Sequence, residues 1–339
     1  MTATRSLITR FGGIGDIVLL TPALKALTER DGSPPDLIAG ANWTYPVLKD
    51  CPYINDIYIL NKRGIPPFLN ASSRSLKHDL SPKKYRDIYN LHPEPKTQRH
   101  LKFLPLSSIA PHHHAMEHES NRRLREIGCP THTPPAAPHI YTTQSEIDTL
   151  INKAPKLNGD FILVQPGNKK TMTSGDVGRS SNTKFWSHDK WQAVIQSLAK
   201  NYPNTQILVI GSPTESDYVD EIISPLNFPN LHNYTRDLNL IELKAASTLA
   251  AGLITVDTGP AHIAAAMGCP LIELFGPCIP DSHAPLNLGQ TIEMLVKFEN
   301  ESEKQRHHSS IGLITPEEVI EKFTQTFDFH RTPPSSRIL

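Results

Sequence analysis

The sequence predicts an α/β protein built as two halves, each a parallel sheet covered by helices. Three observations carry that reading. The chain has 339 residues, beyond the roughly 250–300 at which single hydrophobic cores stop growing. Short apolar, partly β-branched runs alternate with helical patterns in both halves. The longest mildly apolar stretch, Ala245 to Gly268, is broken by Ser247, Asp257, Pro260 and His262, so it falls short of the ~20 uninterrupted apolar residues that a spanning helix needs.

In the first half the strand signals are Ser6–Arg10, Leu37–Ala39, Ile57–Leu60 and Asp87–Leu91. In the second they are Phe161–Gln165, Gln206–Ile210, Gly252–Val256 and Leu271–Phe275, interleaved with helices at Lys190–Lys200, Glu215–Ile223, Ile241–Leu249 and Ala261–Met267. The halves meet where Thr131–Pro138 carries three prolines and a short helical piece, Gln144–Ile151, leads to Ala154–Gly159. That places the boundary near residue 155, giving domains of 1–154 and 155–314. Ser212-Pro213-Thr214-Glu215 and Thr315-Pro316-Glu317-Glu318 read as capping boxes with proline at the first helical position. The second opens a last helix over 315–330 with Val319, Ile320, Phe323 and Phe327 on one face. Lys62–Lys84 and Leu104–His118 are rich in Pro, Ser, Lys and His, and Thr171–Thr183 is a polar insert. All three read as surface loops, where α/β proteins keep function.

Composition narrows the function. Thirty-four Lys and Arg balance 34 Asp and Glu, so no broad basic field exists to hold nucleic acid. The N-terminus lacks the apolar core and cleavage site of a signal peptide, which predicts a cytoplasmic address. Cys51, Cys129, Cys269 and Cys278 form no Cys-x-x-Cys pair and read as small buried hydrophobes. Thirty prolines amount to about 9% of the chain, nearly twice the roughly 5% background.

Two segments carry the chemistry. In Arg10-Phe11-Gly12-Gly13-Ile14-Gly15-Asp16 a strand runs through glycines into a helix, which lets a ligand approach the backbone closely. The third glycine of a dinucleotide fingerprint falls on Val18, so a nicotinamide site is disfavoured. Asp16, in the first helical turn, is placed either to cap the helix or to act as a general base on a hydroxyl. In Asp257-Thr258-Gly259-Pro260-Ala261-His262 a buried strand ends in an acid, a hydroxyl and a glycine, with proline opening the next helix. That helix start suits a diphosphate, with His262 close enough to donate to phosphate or sugar. Lys184 precedes Trp186 and faces the same sheet edge, where it could neutralise a leaving diphosphate. Glu215 follows a strand as a ribose-binding acid would, and equally as a capping residue. His112-His113-His114 with Glu117 and His118 contains an i,i+4 histidine pair able to hold a metal, but a Pro-flanked histidine run fits a solvated loop better. No Asp-x-Asp clamp lies near either glycine turn, so no metal and no cofactor are expected.

On Arg10–Leu27, on Gln165–Gly167 with Lys184, Trp186 and Trp191, and above all on Asp257–Pro280, the chain resembles the bacterial ADP-heptose:lipopolysaccharide heptosyltransferases of glycosyltransferase family 9. The resemblance implies a GT-B fold of two Rossmann-like domains facing a cleft, the last helix crossing back to the first domain. It implies a nucleotide-sugar donor on the second domain and a saccharide or glycolipid acceptor on the first, with peripheral contact at the inner membrane for a lipid-linked core. Asp16 then resembles the general base of an inverting, metal-independent transfer, with Gly12, Gly13 and Gly15 as its loop. Lys184 corresponds to the diphosphate cation, Glu215 to the ribose ligand, and Asp257, Thr258, Gly259 and His262 to the donor cluster. Seventeen positions separate Gly167 from Lys184, a longer gap than the family leads one to expect, which leaves Lys169 and Lys170 as alternative phosphate contacts. Rival readings are a GT-B enzyme using another nucleotide sugar or glycosylating a protein, and a non-catalytic nucleotide-sugar-binding relative.

Overall fold

The computed structural model describes residues 5–106, 117–171, 182–277, 280–287, 289–305, 309–327, 329 and 335–339. It divides into two compact units, Met1–Ile140 and Tyr141–Leu339. The first holds four strands, β1 (Leu7–Arg10), β2 (Asp36–Ala39), β3 (Ile57–Ile59) and β4 (Ile88–Asn90), in the order β3-β2-β1-β4. All pairings are parallel. β1 and β2 are buried along their whole length, as strands covered on both faces must be, and such strands read as apolar runs.

The second unit holds six strands: β5 (Phe161–Gln165), β6 (Gln206–Val209), β7 (Leu231–Asn233), β8 (Leu253–Val256), β9 (Leu271–Leu274) and β10 (Ile292–Leu295). Their order is β10-β9-β8-β5-β6-β7, again all parallel. Counted from β5 this is the 3-2-1-4-5-6 order of dinucleotide-binding folds, and it reverses direction between β5 and β8. At that point the two crossovers leave on opposite sides, so the carboxyl ends of β5 and β8 open onto a crevice. In the first unit the same reversal falls between β1 and β4. Both reversal points are occupied by residues singled out from the sequence, or by their immediate neighbours.

The core of the second unit gathers around Trp186 and Trp191, whose rings meet edge-on with centroids 4.9 Å apart. Trp186 donates its indole N–H to the Ile314 carbonyl at 3.1 Å. Both predicted capping boxes form. Glu318 N–H is accepted by Thr315 Oγ1 and Thr315 N–H by Glu318, while Glu215 reciprocates with Ser212 around a 3₁₀ turn, Pro213–Glu215, that precedes the helix Ser216–Ile223.

Several expectations are corrected. The division falls after Ile140 rather than near 155, because the helix Gln144–Lys153 packs on the helix Leu240–Leu249. Lys153 seals that contact through Glu242 at 2.8 Å, and Thr142 bridges to Ile338. The last helix, Pro316–Thr326, buries Val319 and Phe323 in the second unit's own core, with Phe323 edge-on to Tyr202; Phe327 leaves room only for glycine at Gly252. The apolar face expected of it is real, but what it covers is its own domain. Lys62–Lys84 is not all loop: Asn70 caps a helix, Ala71–Leu80, that buries Ser73, Leu76 and Leu80. The edge strands β7 and β10 were absent from the sequence reading, since three or four half-buried residues that include His232 and Glu293 leave no apolar run. Residues 107–116 and 172–181 and Cys278, and with them the His112–His114 run and most of the polar insert, lie outside the described residues. Among the described residues no helix is long and apolar enough to cross a membrane.

Candidate functional site

In the first unit, β1 delivers Arg10 to the sheet's carboxyl edge, and the chain then turns through Gly12 and Gly13 into a short helix, Ile14–Val18. Asp16 folds back onto the turn, its Oδ2 accepting the Gly13 N–H at 2.6 Å. A Cβ at Gly12 would stand 2.2 Å from that oxygen, so glycine here is the condition for Asp16 to lie where it does. Gly15 is inside the helix, its carbonyl accepting Leu19 N–H. The other Asp16 oxygen accepts from the Arg10 guanidinium.

Arg10 is itself buried and is held from behind by Glu119, 2.7 Å away and also buried. Arg123 and Arg122 close on the same carboxylate, and Glu126 on Arg123. Three guanidinium groups thus meet three carboxylates, with Arg10, Glu119 and Arg123 buried at the centre, where removing one partner is costly, about 3–5 kcal/mol. Burial works against the Glu119 anion, but Arg123, Arg10 and Arg122 together hold its carboxyl below the usual range. His118 does not serve as a metal ligand by its Nδ1, which accepts Ser120 N–H at 3.2 Å to cap the helix Glu119–Glu126.

In the second unit the reversal point between β5 and β8 gathers Lys184, Asp257 and the start of the helix Gly259–Ala266. Lys184 reaches Asp257 at the end of β8, its Nζ 2.5 Å from Oδ2 and 3.3 Å from the main-chain carbonyl. Its seat is made by asparagines: Asn182 Oδ1 accepts the Lys184 N–H at 3.2 Å, and Asn168 holds Asn182 at 3.1 Å. Gly276 lets this loop lie flat, since a Cβ there would be 2.4 Å from the Thr183 carbonyl. Thr258 then caps the helix Gly259–Ala266 by backbone alone, its hydroxyl making no cap bond among the described residues, with Pro260 at the second position and His262 buried in the first turn. Lys169 and Lys170 are exposed, and the Lys170 N–H is taken by Asn168 Oδ1 at 2.9 Å. The structure therefore brings Lys184, rather than either of these, to Asp257.

Glu215 is buried with its Oε2 accepting from the Ser212 N–H at 2.8 Å and hydroxyl at 3.1 Å. Its Oε1 points at Gly167, where a Cβ would come within 2.0 Å. The polar group beside it, the Thr171 hydroxyl, is directed to the Asn168 carbonyl at 2.6 Å, which leaves Oε1 without a hydrogen bond of good geometry among the described residues. Burial pushes the Glu215 carboxyl up, against the opposing pulls of Ser212 and Thr171. A buried acceptor beside a glycine turn is what a vicinal diol would satisfy.

Sequence reasoning missed Glu273, which lies opposite Thr255 in the β8–β9 register. It is fully buried, neither oxygen has a hydrogen-bond partner among the described residues, and burial first, then Asp257, pushes its carboxyl well up while Lys184 pulls it down. The available signal was a single charge inside an otherwise apolar buried strand. Arg10 and Glu119 were missed because each finds its buried partner 109 residues away in sequence; Gln165, buried with its amide on the Gly167 carbonyl, was missed because a single polar residue closing an apolar strand carries no pattern of its own.

Residues 162–313 match the sequence model of glycosyltransferase family 9 (heptosyltransferase). Lipopolysaccharide heptosyltransferase 2 of Salmonella typhimurium is 27% identical over 146 residues, 41% of each chain, so the match spans about two fifths of that relative. Lipopolysaccharide heptosyltransferase 3 of Escherichia coli K12 is 25% identical over 288 residues, covering 77% of this chain and 79% of the relative. In three dimensions the E. coli ADP-heptose LPS heptosyltransferase II superposes with a TM-score of 0.75 at 19% identity, over 95% of this chain and 98% of that one. That likeness gives the fold class as GT-B, two Rossmann-like parallel-sheet domains. The family model sits on the second sheet, over somewhat less than half of the chain, and a wider relative extends the likeness through most of it, so what the chain is similar to is glycosyltransferase family 9, the heptosyltransferase family.

Proposed function

We propose that this chain transfers a heptose from ADP-heptose to a saccharide hydroxyl in lipopolysaccharide core or related glycan assembly, with inversion at the anomeric carbon. The observation that carries the reading is the Lys184–Asp257 pair at the start of the helix Gly259–Ala266, on the reversal point of a six-stranded sheet. A lysine ammonium and a helix N-terminus favour a diphosphate there, and the unfilled Glu215 Oε1 favours the hydroxyls of its ribose. The names of the relatives supply the sugar and the adenine base; Asp257, Thr258, Gly259 and His262 are assigned to the sugar and phosphates.

On the acceptor side the base is Asp16. Its carboxylate takes the proton of the acceptor hydroxyl as that oxygen attacks the anomeric carbon. The bond from that carbon to the diphosphate oxygen breaks with its electron pair on ADP, and one displacement inverts the centre. Lys184 and the helix start stabilise the charge that ADP carries away, so the reaction needs no metal from this protein. Arg10 holds Asp16 by one oxygen, and Gly13 N–H holds the other. Both fix the carboxylate's orientation. An acceptor carried on a lipid would bring the enzyme to the cytoplasmic face of the inner membrane.

Glu273 has a role in this scheme through charge balance. As a neutral acid it leaves the Lys184 charge to Asp257 and to an incoming diphosphate; as an anion it would compete for it. Its raised value also makes a stability statement. The folded chain retains the Glu273 proton above 4.5, the ordinary value, where the unfolded chain has released it, so stability falls as pH rises through that window.

Three outcomes test the proposal. Titration calorimetry should show ADP binding in preference to UDP and GDP, and a preference for either of those would remove the heptose assignment. Lys184→Ala should weaken ADP binding by about 10–100-fold, the loss of a charge-assisted contact, with Lys169→Ala close to wild type; the reverse order would move the phosphate site into the insert. Asp16→Asn should lower kcat by about 10²–10⁴-fold with donor affinity nearly intact, and unchanged turnover would remove Asp16 as the base. Independently, Glu273→Gln should flatten the fall in unfolding free energy above pH 4.5, by up to about 1.4 kcal/mol per pH unit. An unaltered slope in urea titrations would show that Glu273 is not the proton carrier.

A further inference from the structure

Among the described residues seven large apolar side chains are exposed, and three of them fall within five consecutive positions of the first unit: Ile65 at 38%, Phe68 at 72% and Leu69 at 62%. Pro66 and Pro67 stand between them. This turn is not a loose loop. Arg99 Nη2 donates to the carbonyls of Arg63 and Gly64 at 2.7 Å and of Ile65 at 3.3 Å. The Asn70 side-chain amide holds the Asn61 and Lys62 carbonyls, and the Arg74 guanidinium takes the Phe68 carbonyl at 2.9 Å. The backbone is tied from both sides while the apolar side chains are left in water, at a cost that folding does not recover.

Charge around the turn is as uneven as its hydrophobicity. Residues 62–106 hold ten Lys and Arg against three Asp and Glu, although the whole chain is neutral. Arg74 lies against the Phe68 carbonyl and Lys77 follows one helical turn later, both exposed, while Lys62 begins the turn on its other side. None of these three makes an ion pair among the described residues. The nearest acid on their helix, Asp79, is engaged by Ser75 and His78.

From these two facts together we propose that the Ile65–Leu69 turn is a membrane-docking element, its apolar side chains entering the headgroup boundary of an anionic lipid surface while Lys62, Arg74 and Lys77 lie against the phosphates. Neither signal alone gives stable attachment to a bilayer, and the combination of an apolar anchor with a basic patch does. The pinned, proline-stiffened backbone means that little ordering entropy opposes insertion. A nucleic acid would leave Phe68 and Leu69 in water, and a second copy of this chain would bring the same three cations against themselves if the contact were two-fold. The inference does not rest on the transfer reaction, and its test reads no turnover.

The test is co-sedimentation of the full chain with vesicles of phosphatidylglycerol in phosphatidylcholine, compared with phosphatidylcholine alone, at low and high salt. Wild type should pellet with the anionic vesicles and be released by salt. Phe68→Ser with Leu69→Ser should lower the partition coefficient by about tenfold or more, and Lys62→Ala with Lys77→Ala by about 25-fold, near fivefold for each charge. All four positions are exposed, so circular dichroism should show both variants folded. Absence of wild-type binding at low salt, equal binding to neutral vesicles, or indifference to both pairs of substitutions would overturn the proposal. So would a concentration-dependent dimer that Phe68→Ser with Leu69→Ser abolishes, since the turn's occupant would then be a second copy.

Discussion

The ion pair between Lys184 and Asp257 organises the donor-side sheet edge because each partner is delivered by a different part of the second unit. Asp257 ends β8 and fixes where the helix Gly259–Ala266 begins. Lys184 arrives on a loop that Asn168, Asn182 and Gly276 hold against the end of β9. The pair is half-buried, beside the fully buried Glu273, so its single positive charge is what two carboxyls must share, and, in the proposed reaction, a phosphate as well. Burial weights the first competition by pushing the Glu273 carboxyl well up. The remaining claim is between Asp257 and the ligand.

The first unit solves a related problem differently. Arg10 is carried by a buried strand, and a buried cation needs partners. Glu119 supplies one from a helix 109 residues away, and Asp16 supplies the other from the solvent side. The cost of burying this cluster becomes orientation: the half-buried Asp16 is aimed by a buried Arg10 that Glu119 holds from behind. In both units the reversal of strand order decides where such groups collect, since the carboxyl ends of β1 and β5 are where crossovers leave in opposite directions.

Much of this was legible in the sequence. β5 runs over Phe161–Gln165 as read, because parallel strands covered on both faces must be apolar throughout. Asp16 and Asp257 stood out as acids placed where a strand gives way to glycine and helix, and the Ser212 and Thr315 caps have a reciprocal side-chain pattern that depends only on spacing. What was not legible depends on residues far apart. Glu119 acquires its meaning from Arg10, and Glu273 from a register with β8 that no local pattern reveals. That Lys184 lies against Asp257 follows from Gly276 and the asparagine seat. The helix Ala71–Leu80 hid among serines and lysines because three buried positions sufficed to fix it, and the domain boundary moved because a helix near the junction packs forward rather than back.

The central claim is that the β5–β8 reversal point is a diphosphate site in which Lys184 is the cation. A crystal structure of the full chain with ADP tests it most directly. The account predicts the phosphates against Lys184 Nζ and the start of the helix Gly259–Ala266, with the ribose hydroxyls on Glu215 Oε1. ADP seated instead on the Gly12–Gly13 turn of the first unit, or bound with Lys184 still turned wholly onto Asp257 and no phosphate beside it, would contradict it.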